Sequence, residues 1–188
     1  MIIYLEGVDG TGKSTLVRML EDSLSEFGKV DAKANERIPT YPTRPNRVNQ
    51  TKLFKELKAM ARDNVIHIID RGPISDIIYR VFDDYDPVTT LDKVEEFIKL
   101  YNNRILTIYC RNSNAKRNML ERGDDNPIAI AKHDELSKSF DIVMNILFNN
   151  LSCNCAIYDF NDRNSIGEVL GHANYFVYMG LGVNGLCN

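Results

Sequence analysis

The chain has 188 residues, 44% of them hydrophobic, and a formal net charge of −3. This length is enough to bury one hydrophobic core, and no Pro-, Gly- or Ser-rich linker divides it, so we expect one folded domain. The acidic balance argues against a nucleic-acid partner or an anionic membrane surface. Because no apolar run is long enough to cross a bilayer and the chain starts with a strand-like run rather than a signal peptide, we expect a cytoplasmic protein without a membrane partner.

The first elements of the chain surround a glycine-rich loop. Residues 1–5 are an apolar run that predicts a strand, and apolar side chains at helical spacing from Leu16 to Phe27 predict a helix closed by Gly28. Between them, Gly7–Ser14 fits the motif G-x-x-x-x-G-K-[ST]. A strand before the motif and a helix after it are the required context, so we predict a phosphate-binding loop. The alternative is a glycine-rich turn without a ligand.

The chemistry expected of this loop follows from its backbone. Glycines permit a tight curl that turns successive N–H groups inward, where they and the positive end of the helix can hold a polyphosphate. Lys13 would reach the outer phosphates, and Ser14 would offer a hydroxyl to magnesium. The loop alone leaves the identity of the nucleoside triphosphate open. The residues predicted to bind this cofactor are Gly7, Asp9, Gly10, Thr11, Gly12, Lys13, Ser14 and Thr15.

Further strands alternate with helical segments along the chain. Apolar runs at 65–69, 105–110 and 155–158 predict strands that are buried on both faces, and residues 29–34 supply a weaker candidate. Together with the first strand, they predict a parallel five-stranded sheet covered by helices, which is a three-layer α/β/α fold. Ligands of such sheets collect at the carboxyl ends of the strands. We therefore expect functional side chains just after each strand.

A carboxylate and a guanidinium follow the strand predicted at 65–69. Asp70 can bind magnesium through water or receive the proton of an attacking group, and the planar fork of Arg71 suits bidentate contact with a phosphate. We therefore predict that both residues act at the phosphate side of the sheet. The alternative is an Asp–Arg ion pair that only ends a strand.

Several of these residues together resemble the thymidylate kinase family, whose motif after the third strand is D-R-Y-x-x-S-x-x-[AG]-[YF]. Gly72 stands where the family usually has tyrosine, and Ile78 stands where it has a small residue. Compact virus-encoded deoxynucleotide and deoxynucleoside kinases share the same architecture. The resemblance spans roughly residues 1 to 170 and is carried by the segments Glu6–Thr15 and Tyr41–Arg44 and by Asp70, Arg71, Ser75 and Tyr79.

The resemblance implies a P-loop kinase fold with a short lid, ATP and Mg²⁺ as cofactors, and a deoxynucleoside monophosphate as substrate. The acceptor would be held by Asp9, Tyr41, Arg44, Arg71, Ser75 and Tyr79. Of these, Tyr79 could equally be a core residue, and Asp9 could equally be a turn residue that caps nearby N–H groups. Magnesium would be held by Ser14 and Asp70, and catalysis would use Lys13, Asp70, Arg71, Arg117 and Arg122.

The last two of these arginines belong to the predicted lid at about 112–127. This segment reads as a short helix capped by Asn112 or Ser113, followed by a polar turn. Closing the turn would exclude water and bring Arg117 and Arg122 toward the transferring phosphoryl group. The alternative is a helix with a solvated cationic face. Because the loop has Gly10 where some thymidylate kinases have arginine, the chain resembles the members that supply arginine from the lid.

No protein-built metal cluster is expected from the histidines and cysteines. His67 lies inside a predicted buried strand and is expected to be a hydrogen-bonded core residue, whereas His133 and His172 are expected on helix surfaces. The cysteines lack the paired spacing of a zinc site and are expected to be reduced. These four are Cys110, Cys153, Cys155 and Cys187.

These observations predict a kinase domain at residues 1–173 and a tail at 174–188 to which we assign no structure. The predicted reaction transfers the γ-phosphoryl of ATP to a deoxynucleoside monophosphate, with dTMP as the implied acceptor. One alternative is a deoxynucleoside kinase, in which Asp70 would be the general base for a 5′-hydroxyl. Another is a P-loop nucleotide-binding switch module without a small acceptor. Family analogy alone implies a homodimer.

Overall fold

A computed structural model describes residues 1–33, 50–79, 87–123, 127–150 and 154–181. The strands are parallel and form one five-stranded sheet in the order β2-β3-β1-β4-β5. The elements are β1 (Ile2–Glu6), α1 (Lys13–Leu24), β2 (Val30–Lys33), α2 (Gln50–Met60), β3 (Ile66–Asp70), α3 (Pro73–Ile78), α4 (Pro87–Leu100), β4 (Ile105–Arg111), α5 (Ala115–Glu121), α6 (Pro127–Asn150), β5 (Asn154–Asp159) and α7 (Ser165–Leu181).

The predicted α/β fold class and the five-stranded parallel sheet are confirmed. The weak pattern at residues 29–34 does form a strand, β2, which pairs with β3 at the sheet edge. Burial explains why β1 and β3 read as continuous apolar runs, since all five residues of each strand are buried. Strands covered by helices on both faces have no solvent-facing side.

Alternate side chains of β1 divide the core into two clusters. Ile3 and Leu5 pack with side chains of α1 and α7, among them Leu16 and Val177. Ile2 and Tyr4 point to the opposite cluster, which includes side chains of α2, α3, α4 and α6. The sheet is therefore the middle of three layers, as predicted.

A helix crosses the boundary predicted at residue 174 between the kinase domain and the tail of unassigned structure. Helix α7 continues to Leu181, and Phe176 and Val177 are buried against the sheet. The apolar face of α7 continues past Gly171, because its buried side chains recur at helical spacing. They include Val169, Ala173, Phe176 and Val177. Residues 182–188 of the predicted tail lie outside the described residues.

His67 and His172 lie where the sequence predicted them, one in the core and the other on a helix surface. His67 is buried in β3, and its two ring nitrogens lie 3.2 Å from Asp31 Oδ2 and 2.9 Å from Asp63 Oδ2. It is a hydrogen-bonded core residue, as predicted. His172 lies on the exposed side of α7, also as predicted. Among the described residues, none of the helices combines the length and the hydropathy needed to span a membrane.

Candidate active site

The predicted phosphate-binding loop curls between β1 and α1 and needs glycine at two crowded positions. Gly7 (φ 143°) and Gly10 (φ 84°) both have the positive φ that side chains rarely adopt. A Cβ atom would collide with the carbonyl oxygen of Cys110 at the first position and with that of Ala115 at the second. The start of the phosphate-binding loop therefore lies directly against β4, and the tip of the loop lies against α5.

The Lys13 side chain turns back into this loop and is buried. Its Nζ atom donates hydrogen bonds to the carbonyl oxygens of Val8 at 2.7 Å and Gly7 at 3.0 Å. Burial, and secondarily the charge of Arg71, lowers the pKa of Lys13 to about 8. A cation held this way by the loop's own carbonyl groups is placed to meet a polyphosphate that binds to the loop's amides.

A hydroxyl and a carboxylate meet beside this lysine. Ser14, at the start of α1, donates a hydrogen bond from Oγ to Asp70 Oδ2 at 3.5 Å. The other carboxylate oxygen, Asp70 Oδ1, is buried and has no hydrogen-bond partner among the described residues. Two oxygen ligands with one unsatisfied carboxylate oxygen are the donor set that Mg²⁺ accepts, usually with water and nucleotide phosphates completing the shell. The residues present therefore fit the predicted magnesium site.

Arg71 is the non-glycine residue with a left-handed backbone (φ 72°) among the described residues. Such a conformation costs about 1 to 2 kcal/mol and is enriched at functional sites. Its buried guanidinium pairs with the Asp9 carboxylate, donates to Gly7 O at 3.3 Å and lies 4.8 Å above the centre of the Tyr79 ring. Three groups thus fix the guanidinium at the carboxyl end of the sheet.

The electrostatics of Asp9 follow from this pairing. Burial alone would raise the pKa of its carboxyl group, but the positive charges of Arg71 and Lys13 outweigh burial and hold the pKa below its usual range. Asp9 therefore stays ionised at neutral pH. Tyr79 differs, since burial raises its pKa and it remains a neutral ring beneath the guanidinium.

A cavity of about 200 Å³ joins these groups. The two predicted lid arginines are placed differently around it. Arg122 lines the cavity, whereas Arg117 pairs with Glu121 at 3.3 Å and keeps about two-thirds of its side chain exposed. The structure therefore brings Arg122, but not Arg117, to the loop. The lining residues are Asp9, Gly10, Thr11, Gly12, Lys13, Ser14, Thr15, Asp70, Arg71 and Arg122.

The loop tip is held by residues that sequence reasoning assigned no role at the site. Asn112 Nδ2 donates to Gly10 O at 2.9 Å, and Asn118 Nδ2 lies 3.5 Å from the same oxygen. His133 was predicted on a helix surface, which is wrong: it is buried and its Nε2 lies 3.2 Å from Asp9 O. The sequence did contain an indication of this burial: His133 lies seven residues before Phe140 in α6, and that spacing places both side chains on the same face of the helix.

The structure describes only one of the three remaining residues predicted to bind the acceptor. Tyr41 and Arg44 lie outside the described residues, so their roles stay predictions. Ser75 is fully buried, and its hydroxyl donates to the carboxylate of Glu6 rather than facing the cavity.

The predicted lid helix is present as α5. It begins after Asn114, whereas the sequence predicted a cap at Asn112 or Ser113. Residues 124–126 of the predicted lid lie outside the described residues.

Comparison with known proteins is informative at the level of the fold. No family model and no curated protein sequence matches the chain. The YorR protein of Bacillus subtilis, solved in complex with phosphorylated GDP, is similar to it, with 24% identity and a TM-score of 0.64 over 95% of this chain and 96% of that one. Deoxyadenosine kinase from M. mycoides, solved with the products dCMP and a flexible dCDP, has 20% identity and a TM-score of 0.57 over 93% of this chain and 100% of that one.

A third similar structure is more distant from this chain. Thymidylate kinase from Ehrlichia chaffeensis has 18% identity and a TM-score of 0.46 over 90% of this chain and 94% of that one, which is too distant to support an argument about the acceptor. The first two similarities and the parallel five-stranded sheet show that the chain shares the α/β fold of P-loop nucleotide kinases.

Proposed function

We propose that this protein is an ATP-dependent nucleoside monophosphate kinase that phosphorylates a deoxynucleoside monophosphate, with dTMP as the acceptor. The convergence of two sets of groups on one cavity carries the proposal. Loop residues that suit a triphosphate donor, including Lys13 and Ser14, line the same 200 Å³ space as Asp70 and Arg71 from the end of β3. A switch module would use the loop and a magnesium ligand such as Asp70, but it would not need a buried guanidinium that suits an acceptor phosphate, such as that of Arg71.

The donor side of the proposed reaction uses the loop and its lysine. The amides of Gly10 to Ser14 would hold the β- and γ-phosphates, and the ammonium group of Lys13 would exchange its carbonyl partners for phosphate oxygens. Ser14 and Asp70 would hold Mg²⁺, which neutralises phosphate charge when bound. A phosphate bound at this position also favours the charged form of Lys13, whose pKa is lowered by burial in the free loop.

The acceptor side uses Arg71. Its guanidinium is already oriented by Asp9 and by the Tyr79 ring. The Arg71 side chain would therefore lose little conformational freedom when its N–H groups bind the acceptor phosphate. The resemblance adds Tyr41 and Arg44 to this side. Arg122 would stabilise the negative charge that develops during transfer. Arg117 would do the same after a lid movement that breaks its pair with Glu121. Positioning and electrostatics carry such reactions, since the protein performs little covalent chemistry.

A deoxynucleoside kinase is the second candidate, and one observation favours it. Asp70 Oδ1 is buried without a hydrogen-bond partner among the described residues, and a free carboxylate oxygen could accept the proton of a 5′-hydroxyl. The similar structure from M. mycoides is named a deoxyadenosine kinase. The buried guanidinium of Arg71 supports the monophosphate instead, because an anionic acceptor requires a cationic partner and a hydroxyl does not.

Two single variants test the proposal. We expect Lys13→Ala and Arg71→Ala each to lower kcat/KM for phosphorylation of dTMP at least tenfold, because each removes charge stabilisation from the reacting phosphates. Lys58→Ala, which removes an exposed lysine of α2, is the matched control and should retain wild-type kinetics. Wild-type turnover by Arg71→Ala would remove that residue from the acceptor site. Loss of partner binding in Lys13→Ala, with no small acceptor phosphorylated by the wild type, would support the switch module.

A further inference from the structure

The carboxylate of Glu6 is fully buried at the end of β1 and accepts hydrogen bonds from the first turn of α3. The amide of Ile74 lies 3.2 Å from Oε1, the amide of Ser75 lies 3.1 Å from Oε2, and the Ser75 hydroxyl also donates to Oε2. Glu6 directly precedes Gly7, the first residue of the phosphate-binding loop. One side chain therefore joins the start of the donor loop to the segment that follows Arg71.

The residue between Arg71 and α3 leaves room for this contact. A Cβ atom on Gly72 would lie 2.8 Å from Glu6 Oε1 and 2.5 Å from Cδ1 of the buried Tyr4 ring. Both neighbours belong to β1 and neither can move far, because Tyr4 is a core residue and Glu6 has three donors. The close approach of this turn to β1 requires glycine, at the position where thymidylate kinases usually have tyrosine.

The backbone of Arg71 is tied to the same strand. Its amide donates to Leu5 O at 2.9 Å, and its left-handed φ of 72° follows directly after the end of β3. Leu5 thus holds the turn before Gly72, and Glu6 holds it after Gly72. A left-handed non-glycine residue persists only where the surroundings over-determine it, and these two neighbouring residues of β1 supply that constraint.

We propose that Glu6 is a positioning residue for the acceptor side: by anchoring the first turn of α3, it holds the Arg71–Gly72 turn so that the guanidinium faces the acceptor phosphate. The inference rests on the proposed function. It predicts that a lost anchor affects acceptor binding and leaves ATP binding intact, because the loop amides and Lys13 make no hydrogen bond to Glu6 within the described residues.

The charges around Glu6 agree with this role. Burial raises the pKa of its carboxyl group to about 7, while the Ser75 and Ile74 hydrogen bonds and the Arg71 charge favour the ionised form. The other titratable groups that influence it, or that it influences, are the phenol of Tyr79 and the thiol of Cys110. Among the described residues, Arg71 is the cation whose charge acts on the Glu6 carboxyl group.

Kinetics of Glu6→Gln and Ser75→Ala test the inference. We expect either change to raise KM for the acceptor at least fivefold and to change KM for ATP less than twofold. In an Arg71→Ala background, Glu6→Gln should cause less than a twofold further loss, because it acts through Arg71. Glu95→Gln, which removes the same charge from a surface pair with Lys99, is the matched control and should leave both KM values unchanged. Equal rises in both KM values, or full additivity with Arg71→Ala, would overturn the inference.

Amide hydrogen exchange supplies a readout that does not depend on activity. We expect exchange at Ile74 or Ser75 to accelerate at least tenfold in Glu6→Gln and to remain unchanged in Glu95→Gln. Unchanged exchange at both amides would overturn the anchoring role, whatever the reaction. If the wild type phosphorylates no acceptor but Glu6→Gln shows the accelerated exchange, the proposed function and the Arg71 role are overturned and the anchoring role is retained.

Discussion

The hydroxyl of Ser14 lies 3.5 Å from the carboxylate of Asp70, although 56 residues separate them in the chain. The contact follows from the topology. Strands β1 and β3 are adjacent and parallel, with Leu5 opposite Asp70, so the loop after β1 and the residue that ends β3 meet at one edge of the sheet. This juxtaposition gives a hydroxyl and a carboxylate a shared position beside the phosphate-binding loop.

The first prediction concerns magnesium. We expect Asp70→Asn to raise the free Mg²⁺ concentration required for half-maximal activity at least tenfold, because the amide offers one neutral oxygen in place of an anionic carboxylate. Activity titrated against free Mg²⁺ at saturating ATP measures this. Asp92→Asn, an exposed change on α4, is the control. An Asp70→Asn enzyme that loses turnover at every Mg²⁺ concentration, with an unchanged midpoint, would point to a general base instead.

The second prediction separates the two lid arginines. Arg122 lines the loop cavity and Arg117 pairs with Glu121 at the surface. We therefore expect Arg122→Ala to lower kcat at least tenfold, and Arg117→Ala to lower it less than Arg122→Ala does. Steady-state kcat values of the two variants decide this, each serving as the other's control. A larger loss from Arg117→Ala would mean that the lid rearranges before transfer and replaces the contacts seen here.

The third prediction concerns the glycine in the turn after Arg71. Gly72→Ala would place a methyl group 2.5 Å from the Tyr4 ring and 2.8 Å from Glu6, and such overpacking costs about 1 to 3 kcal/mol of unfolding free energy. Gly167→Ala in α7 is the matched control, since nothing lies within 4 Å of a Cβ there. Alanine is the better helix former, so the control should gain up to about 1 kcal/mol. Urea unfolding measures both, and equal effects would contradict the crowding at Gly72.

The fourth prediction is a pH dependence of stability that comes from Glu6. Its pKa is raised from 4.5 to about 7 in the folded state, so the folded protein binds this proton more tightly than the unfolded chain. The corresponding stability is fully present below pH 4.5 and is lost as the pH rises through about 7. Glu6→Gln removes this titration, whereas all other groups are shared by both proteins.

We therefore expect the free energy of unfolding of Glu6→Gln minus that of the wild type to increase by about 1 to 3 kcal/mol between pH 5 and pH 8, because only the wild type loses this stability. Denaturant unfolding of the two proteins at both pH values gives this difference. A constant difference would show that Glu6 is ionised in the folded state throughout this range.

Local patterns predicted the sheet and the donor loop because each is encoded over a few neighbouring residues. The apolar runs of β1 and β3 and the motif Gly7–Ser14 needed no information about distant contacts. The pattern of β2 was weak and made it only a candidate strand, and its position at the sheet edge comes from the structure. Asp70 and Arg71 could be predicted at the site because parallel strands end at the same edge.

Side-chain roles that depend on packing between distant segments could not be predicted in this way. Glu6 and Ser75 are 69 residues apart, and their hydrogen bond exists because α3 starts beside the end of β1. His133 belongs to a mostly polar stretch of α6, and its burial depends on the position of the loop tip. The different placements of Arg117 and Arg122 depend on where α5 ends, which is at Glu121.

Transfer of label from [γ-³²P]ATP would show whether the protein phosphorylates a nucleotide, a nucleoside or neither. Wild-type protein would be incubated with Mg²⁺ and, in separate reactions, with dTMP, each other common (deoxy)nucleoside monophosphate, thymidine, or no acceptor. We expect label to appear in a deoxynucleoside diphosphate, with dTDP formed fastest, and we expect Arg71→Ala to slow this transfer at least tenfold. Label that appears in dTMP formed from thymidine, or only as inorganic phosphate in every reaction, would contradict it.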